Sequence, residues 1–226
     1  VIRSLFLASI AGLALAACAP ASANERPHVV PAPSLDLPLA AAGTHAQTAV
    51  FAGGCFWGME GVFEHVRGVL MVRSGYSGGN VATPTYEQVS SETTGHAESV
   101  EITYDPHVVS YGQLLRIYFS VATDPTELNR QGPDTGASYR GDIFTASAEQ
   151  ARVAHAYITQ LGAAHAFSAP IVTRVDPLTH FWPAEDYHQH YLDHNPDQPY
   201  IVFNDLPKVR NLQAMFPAEY AAASAP

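Results

Sequence analysis

The spacing of apolar residues changes several times between residues 48 and 175, and each change marks an element. Residues 48–53 (TAVFAG) are a short apolar strand that runs into Gly53-Gly54. From Cys55 the period turns helical: Phe56, Met59, Val62, Phe63 and Val66 recur at three- and four-residue spacing. Residues 69–76 are strand-like, and residues 77–95 form a polar, glycine-bearing loop. In 98–105, Val100, Ile102 and Tyr104 alternate with polar residues, giving a half-buried strand closed by Asp105-Pro106. Ser110 and Gln113 form a capping box that opens a helix through Leu114, Leu115, Ile117 and Tyr118. A loop to Tyr139 and a short strand at 140–144 follow. Ser147 and Gln150 then cap a helix reaching about Leu161, and a last strand is expected at 170–175.

The order β-α-β-β-α-β over 48–144 is that of the ferredoxin-like unit, so an α+β two-layer sandwich with extra helices and a long C-terminal coil is expected. In that topology the first strand lies between the third and fourth, antiparallel to both. Its end at Cys55 then falls beside the start of the third strand at Glu98 and the approach to the fourth at Tyr139. The loop bearing Tyr86 leaves from the same edge. The fold therefore converges four chemically capable side chains from distant sequence positions.

The N-terminal region follows another pattern. One arginine, Arg3, precedes an apolar run from Leu5 to Ala17, followed by Cys18. A spanning helix needs roughly 20 apolar residues, so this run fits a secretory signal peptide. Leu15-Ala16-Ala17-Cys18 resembles the lipobox of bacterial lipoproteins, in which the thiol is acylated and the chain is cut before it. The competing reading is cleavage after Ala21-Ser22-Ala23. The expected organisation is a signal at 1–17, a lipidated, proline-rich tether at 18–46, a catalytic domain at 47–217 and a disordered tail at 218–226. Pro20, Pro27, Pro31, Pro33 and Pro38 make the tether semi-rigid. Such a protein is expected in the cell envelope, lipid-anchored and facing the periplasm, or soluble there. Ala19 resembles outer-membrane sorting.

Charge and cysteine count narrow the chemistry. With 21 Asp+Glu against 11 Lys+Arg and a formal charge of −10, the chain is a poor polyanion binder, so nucleic acid is excluded as a partner. Its 2 cysteines, Cys18 and Cys55, allow neither a disulfide-stapled scaffold nor a four-thiolate zinc site. Cys55 stands at a helix start, where unpaired N–H groups and the helix dipole favour a thiolate. Gly53 and Gly54 allow close approach to it. A small buried hydrophobe is the alternative role.

Gly54-Cys55-Phe56-Trp57-Gly58 resembles the signature of A-type peptide methionine sulfoxide reductases. The likeness continues through Gly75-Tyr76-Ser77-Gly78-Gly79, Pro84-Thr85-Tyr86, Thr94-Gly95-His96-Ala97-Glu98 and Tyr104-Asp105-Pro106. It extends through Arg130-Gln131-Gly132, Asp134 and Tyr139-Arg140 to Ala184-Glu185-Asp186-Tyr187-His188-Gln189 and Tyr191. The resemblance implies that Cys55 is the nucleophile and becomes a sulfenic acid, and that Glu98 polarises or protonates the sulfoxide oxygen with Tyr86 and Tyr139 as further donors. Phe56 and Trp57 would hold the S-methyl group, and Asp134 would support the substrate or the later thiol step. Glu98 must keep its proton near neutral pH, through burial and the nearby thiolate charge. The implied substrate is the S epimer of methionine sulfoxide, free or in proteins.

Many members of this family carry resolving cysteines near the C-terminus, whereas residues 56–226 contain none. No bound cofactor is implied. The sulfenic acid of a monomeric, single-cysteine enzyme would pass to an external thiol: a thioredoxin-like or glutaredoxin-like protein, a small thiol, or dithiothreitol in vitro. Two other readings compete. One is acyl transfer, with Cys55 as nucleophile and His96 as base. The other is a metal-binding lipoprotein using His190 and His194, which stand at i, i+4. That segment holds no HExxH motif, and no metal ligand is expected there.

Overall fold

The computed structural model describes residues 27–222 except 39, 42 and 45. Its elements are β1 (Gln47–Ala52), α1 (Phe56–Glu64), β2 (Val69–Ser77), α2 (Tyr86–Ser90), β3 (Ala97–Tyr104) and α3 (Tyr111–Ile117). They continue with β4 (Arg130–Gln131), β5 (Asp134–Thr135), β6 (Asp142–Thr145), α4 (Ala148–Ala163), β7 (Arg174–Pro177), β8 (Phe181–Pro183), α5 (Tyr191–His194) and α6 (Leu206–Met215). The main sheet runs β7-β6-β1-β3-β2-β8, while β4 and β5 form a small ladder. β1 is antiparallel to both β3 and β6, as the ferredoxin-like order requires. The α+β expectation holds, with the expected fourth strand lying at β6.

The two faces of the sheet explain which side chains are buried. Along β3, Glu98, Val100, Ile102 and Tyr104 share one face, because side chains alternate along a strand. That face meets α1 in the main core with Phe51, Met59, Val62 and Phe63. The opposite face buries Val50, Ala52, Ala97 and Phe144 in a smaller cluster. A carboxyl in phase with three core residues is thereby carried out of water.

Several elements depart from the sequence reading. The 77–95 loop contains α2, whose N-cap Thr85 forms a complete capping box with Gln88; that signal stands in the sequence and makes Tyr86 the first helical residue. Strand pairing after α4 begins at Arg174 rather than 170, because Val172 N–H donates to Pro125 O and only from Arg174 does the chain run beside β6. β8, which was not expected, lies along β2. The C-terminal coil is broken by α6, started by Pro207 in its first turn and held by buried Val209 and Leu212.

The tether and tail also differ from expectation. Residues 28–37 are docked on α3 and α4. Val30 is 1% exposed, and its carbonyl accepts from Arg116 Nε at 3.0 Å. The carbonyls of Pro31 and Ala32 accept from Tyr157 OH at 2.6 Å and Gln160 Nε2 at 2.8 Å, and the Gly112 N–H donates to Asp36 at 2.8 Å. Prolines hold this segment extended, with its carbonyls free for such partners. Backbone contacts of this kind leave no apolar period to read. At the other end, Glu219 O accepts from Arg67 N–H and Ala221 N–H donates to His65 O, so the expected tail is paired through residue 221. Residues 1–26, with the expected signal, Cys18 and Ala19, and residues 223–226 lie outside the described residues. Among the described residues, no helix is long and apolar enough to cross a membrane.

Candidate active site

β1 delivers the chain into Gly54, whose φ of +94° and whose would-be Cβ, 2.7 Å from Gln131, admit only glycine. The residue that approaches this closely is part of the chain itself. Cys55 follows as the N-cap of α1 and is 8% exposed. The next N–H, that of Phe56, donates to Glu98 Oε2 at 3.0 Å. This bond spans 42 residues and brings the acid from β3 to the turn that carries the thiol.

Tyr86 and Tyr139, both half-buried, complete the convergence expected from the topology. Burial first, then the Glu98 charge, raises both phenols, and Cys55 and Asp134 act on both in the same direction. Tyr86 is positioned by Glu185, whose Oε1 accepts its N–H at 2.9 Å while Oε2 accepts from Tyr76 OH at 3.0 Å. Burial works against the Glu185 charge, but these donors outweigh it and hold the carboxyl below the usual range.

Three carboxyls, Glu98, Asp134 and Asp205, lie near the thiol, and their charges oppose its ionisation. Burial raises Glu98 to about 8; the Phe56 N–H opposes this, and Asp134, Asp205 and Glu92 add to it. The acid is thus protonated at neutral pH, as expected, but neighbouring carboxylates supply the charge effect assigned to the thiolate. The thiol departs further from expectation. Burial, Asp205 and Glu98 push it well above its ordinary value, and the Trp57 backbone N–H only partly offsets them. The helix start does not produce a resting thiolate, because desolvation costs more than one N–H returns.

The aromatic wall beside the thiol divides the roles expected of Phe56 and Trp57. Phe56 is 1% exposed, packed against Tyr76 and His188, so its ring backs the site. Trp57 is half-buried and stacks on Tyr191 at 3.9 Å. Its Nε1–H donates to His188 Nδ1 at 3.1 Å, which makes His188 an acceptor there and keeps its ring neutral.

Asp134 accepts from the Tyr200 hydroxyl, and the two line a cavity of about 290 Å³ with Cys55, Gln131, Phe203 and Lys208. Phe56, Trp57, Tyr86, Glu98 and Tyr139 do not line it. The thiol therefore borders two environments, an aromatic, carboxyl-bearing one and a polar one. Tyr200 and Asp205 were not found by sequence reasoning. Asp205 stands directly before Leu206-Pro207, a readable helix start, but nothing local aims it at α1. In the fold its Oδ1 would lie 2.2 Å from a Cβ at Gly58, so glycine is required for the carboxylate to reach the helix.

His96 has no part in this site. Its Nδ1 accepts from Gly79 N–H at 3.2 Å and its Nε2–H donates to Val81 O at 2.8 Å. Both ring nitrogens are engaged in shaping the loop, which leaves the acyl-transfer reading without a base.

Residues 47–220 match the family model described as peptide methionine sulfoxide reductase. A peptide methionine sulfoxide reductase of Mesorhizobium japonicum is 57% identical over 176 residues, covering 78% of this chain and 90% of the relative. One from Synechocystis is 50% identical over 197 residues, covering 87% and 92%. The solved structure of methionine sulfoxide reductase A from Corynebacterium diphtheriae is similar with a TM-score of 0.59 and 32% identity, over 79% of this chain and 91% of that one. With the thiol, the protonated acid and the two tyrosines gathered at one turn, these likenesses show that the chain belongs to the peptide methionine sulfoxide reductase family.

Proposed function

We propose that this protein reduces the S epimer of methionine sulfoxide, free or in proteins, with Cys55 as nucleophile and Glu98 as proton donor. The observation that carries this reading is the 3.0 Å bond from Phe56 N–H to Glu98, which places against the thiol-bearing turn a carboxyl that burial raises to about 8. The sulfoxide oxygen accepts a hydrogen bond from the Glu98 O–H, with Tyr86 and Tyr139 as further donors, and the sulfur becomes more electrophilic. Cys55 Sγ bonds to that sulfur as the oxygen takes up the Glu98 proton. The sulfur–oxygen bond then breaks, the oxygen passes with its proton to Cys55, methionine leaves and a sulfenic acid remains. The thiol proton restores Glu98. Trp57 offers the exposed apolar surface for the S-methyl group.

Recycling requires two electrons from outside the domain. Cys55 is a free thiol in the fold, and residues 56–226 contain no other cysteine. An external thiol attacks the sulfenic sulfur, water leaves, and a second thiol displaces Cys55 from the mixed disulfide. The cavity shared by Cys55, Asp134 and Tyr200 is a route for that thiol. A thioredoxin-like or glutaredoxin-like protein, or a small thiol, fits this role. The reading is tested with epimer-resolved methionine sulfoxide and dithiothreitol: turnover of the S epimer alone is expected, and equal turnover of the R epimer overturns it.

The export reading rests on the apolar run ending at Cys18. The protein is then a monomer held on the envelope by a lipid at Cys18 and repairs exported proteins. Cys18→Ser, expressed in a bacterial host, should move from the membrane to the soluble fraction; a variant that stays in the membrane removes the lipid anchor.

A further inference from the structure

One cluster of ionisable groups lies outside this machinery. Glu60 and Glu64 stand one turn apart on α1, and His190 meets both from the segment before α5. The His190 N–H donates to Glu60 Oε2 at 2.9 Å, and its Nδ1 contacts Glu64 Oε1. One ligand atom from each of the three lies within 4.8 Å of the others. Glu60 is 1% exposed, yet its Oε1 has no hydrogen-bond partner among the described residues, and neither does the buried Oε2 of Glu64. Ser74 faces the Glu60 carboxyl and interacts with it, but no hydrogen bond of ordinary geometry joins Ser74 Oγ to Glu60 Oε1. A buried, unsatisfied carboxylate oxygen is costly unless a proton or a cation meets it.

We propose that Glu60, Glu64 and His190 form a binding site for a divalent transition-metal ion of the zinc class. Two carboxylate oxygens and one imidazole nitrogen make a three-residue set that suits zinc with water in the remaining position. Calcium and magnesium want more oxygen ligands and no imidazole. His190, with its side chain 36% exposed, is the solvent-facing member and gives the ion a way in, whereas Glu64 is 10% exposed. The His190–His194 pair suggested by the sequence is not the ligand set: the cluster of converging ligand atoms does not include His194, and His190 is turned to Glu64. A bound ion would fasten α1, whose N-terminus carries Cys55, to the segment that places His188 against Trp57.

Chelator-treated full-length protein is titrated with Zn²⁺ by calorimetry and with Co²⁺ by visible absorption, before and after alkylation of Cys55. One saturable equivalent is expected in both forms, with no thiolate charge-transfer band for Co²⁺ and a higher melting temperature. Glu64→Gln and His190→Gln should each weaken binding at least about tenfold, while His194→Gln binds as wild type does. Retained sulfoxide reduction in the first two variants shows that they are folded. Absence of a saturable equivalent, binding unchanged in both variants, or binding lost on alkylation each overturns the site.

Discussion

Cys55→Ser is expected to fold and to show no turnover of methionine-S-sulfoxide with dithiothreitol at any pH. The substitution is nearly isosteric at a site that is only 8% exposed, so the aromatic wall and the Phe56–Glu98 bond remain. A serine hydroxyl cannot accept the sulfoxide oxygen and return it to a thiol, because the reaction is a two-electron oxidation of sulfur. The sequence has one other cysteine, Cys18, outside the residues 47–220 that match the family. Mass spectrometry gives a second readout. Wild type treated with substrate and no reductant should gain one oxygen atom at Cys55, and Cys55→Ser should gain none. A Cys18–Cys55 disulfide in the wild type would overturn the single-cysteine cycle, and residual turnover in the variant would overturn the assignment of the nucleophile.

Glu98→Gln should lower kcat/KM for the S epimer by about 10²–10⁴-fold, the usual worth of a positioned acid. The amide still fits beside the Phe56 N–H but has no proton to transfer to the departing oxygen. The pH dependence follows from the carboxyl being raised to about 8 in the free enzyme. Below that value Glu98 is protonated and the rate is flat. Above it the active acid form falls about tenfold per pH unit, and kcat/KM falls with it. The Cys55 thiol titrates well above its ordinary range, so it imposes no limb through neutral pH. In Glu98→Gln the fall above 8 should vanish along with most of the rate. A variant that keeps the limb would assign it to another group, and one with wild-type rate would remove Glu98 as the acid.

The high thiol pKa has a chemical consequence. A resting thiolate would add a further negative charge beside Asp134 and Asp205 in a desolvated volume. The site instead stays neutral at the thiol and at Glu98 until substrate supplies an oxygen to take the acid's proton. Nucleophile activation is thereby coupled to sulfoxide binding, and the resting thiol is protected from indiscriminate oxidation.

Much of the architecture was legible because it is local. The helical spacing of Phe56, Met59, Val62 and Phe63, the alternation of Val100, Ile102 and Tyr104, and the Ser110–Gln113 capping box each depend on neighbours within one or two turns or a few strand residues. The parity that puts Glu98 on the apolar face was readable too, as was the Thr85–Gln88 box that starts α2. Local order also located Cys55 at a helix start and Glu98 at a strand start.

The sequence by itself therefore determined the order of the first four sheet strands and the capped starts of α3 and α4, since these follow from short-range periodicity and capping residues, while the roles of Cys55, Glu98, Tyr86 and Tyr139 came from the family resemblance. Only the tertiary structure decided what those groups are. Asp205, 150 residues from Cys55, helps keep the thiol protonated, and Tyr200 reaches Asp134 across 66 residues. His190 reaches Glu64 across 126, and the segment read as a tether became a docked strap held through its backbone carbonyls. Protonation state and metal affinity are sums over burial and every charge within a few ångströms, and no periodicity in the chain encodes which distant residues supply them.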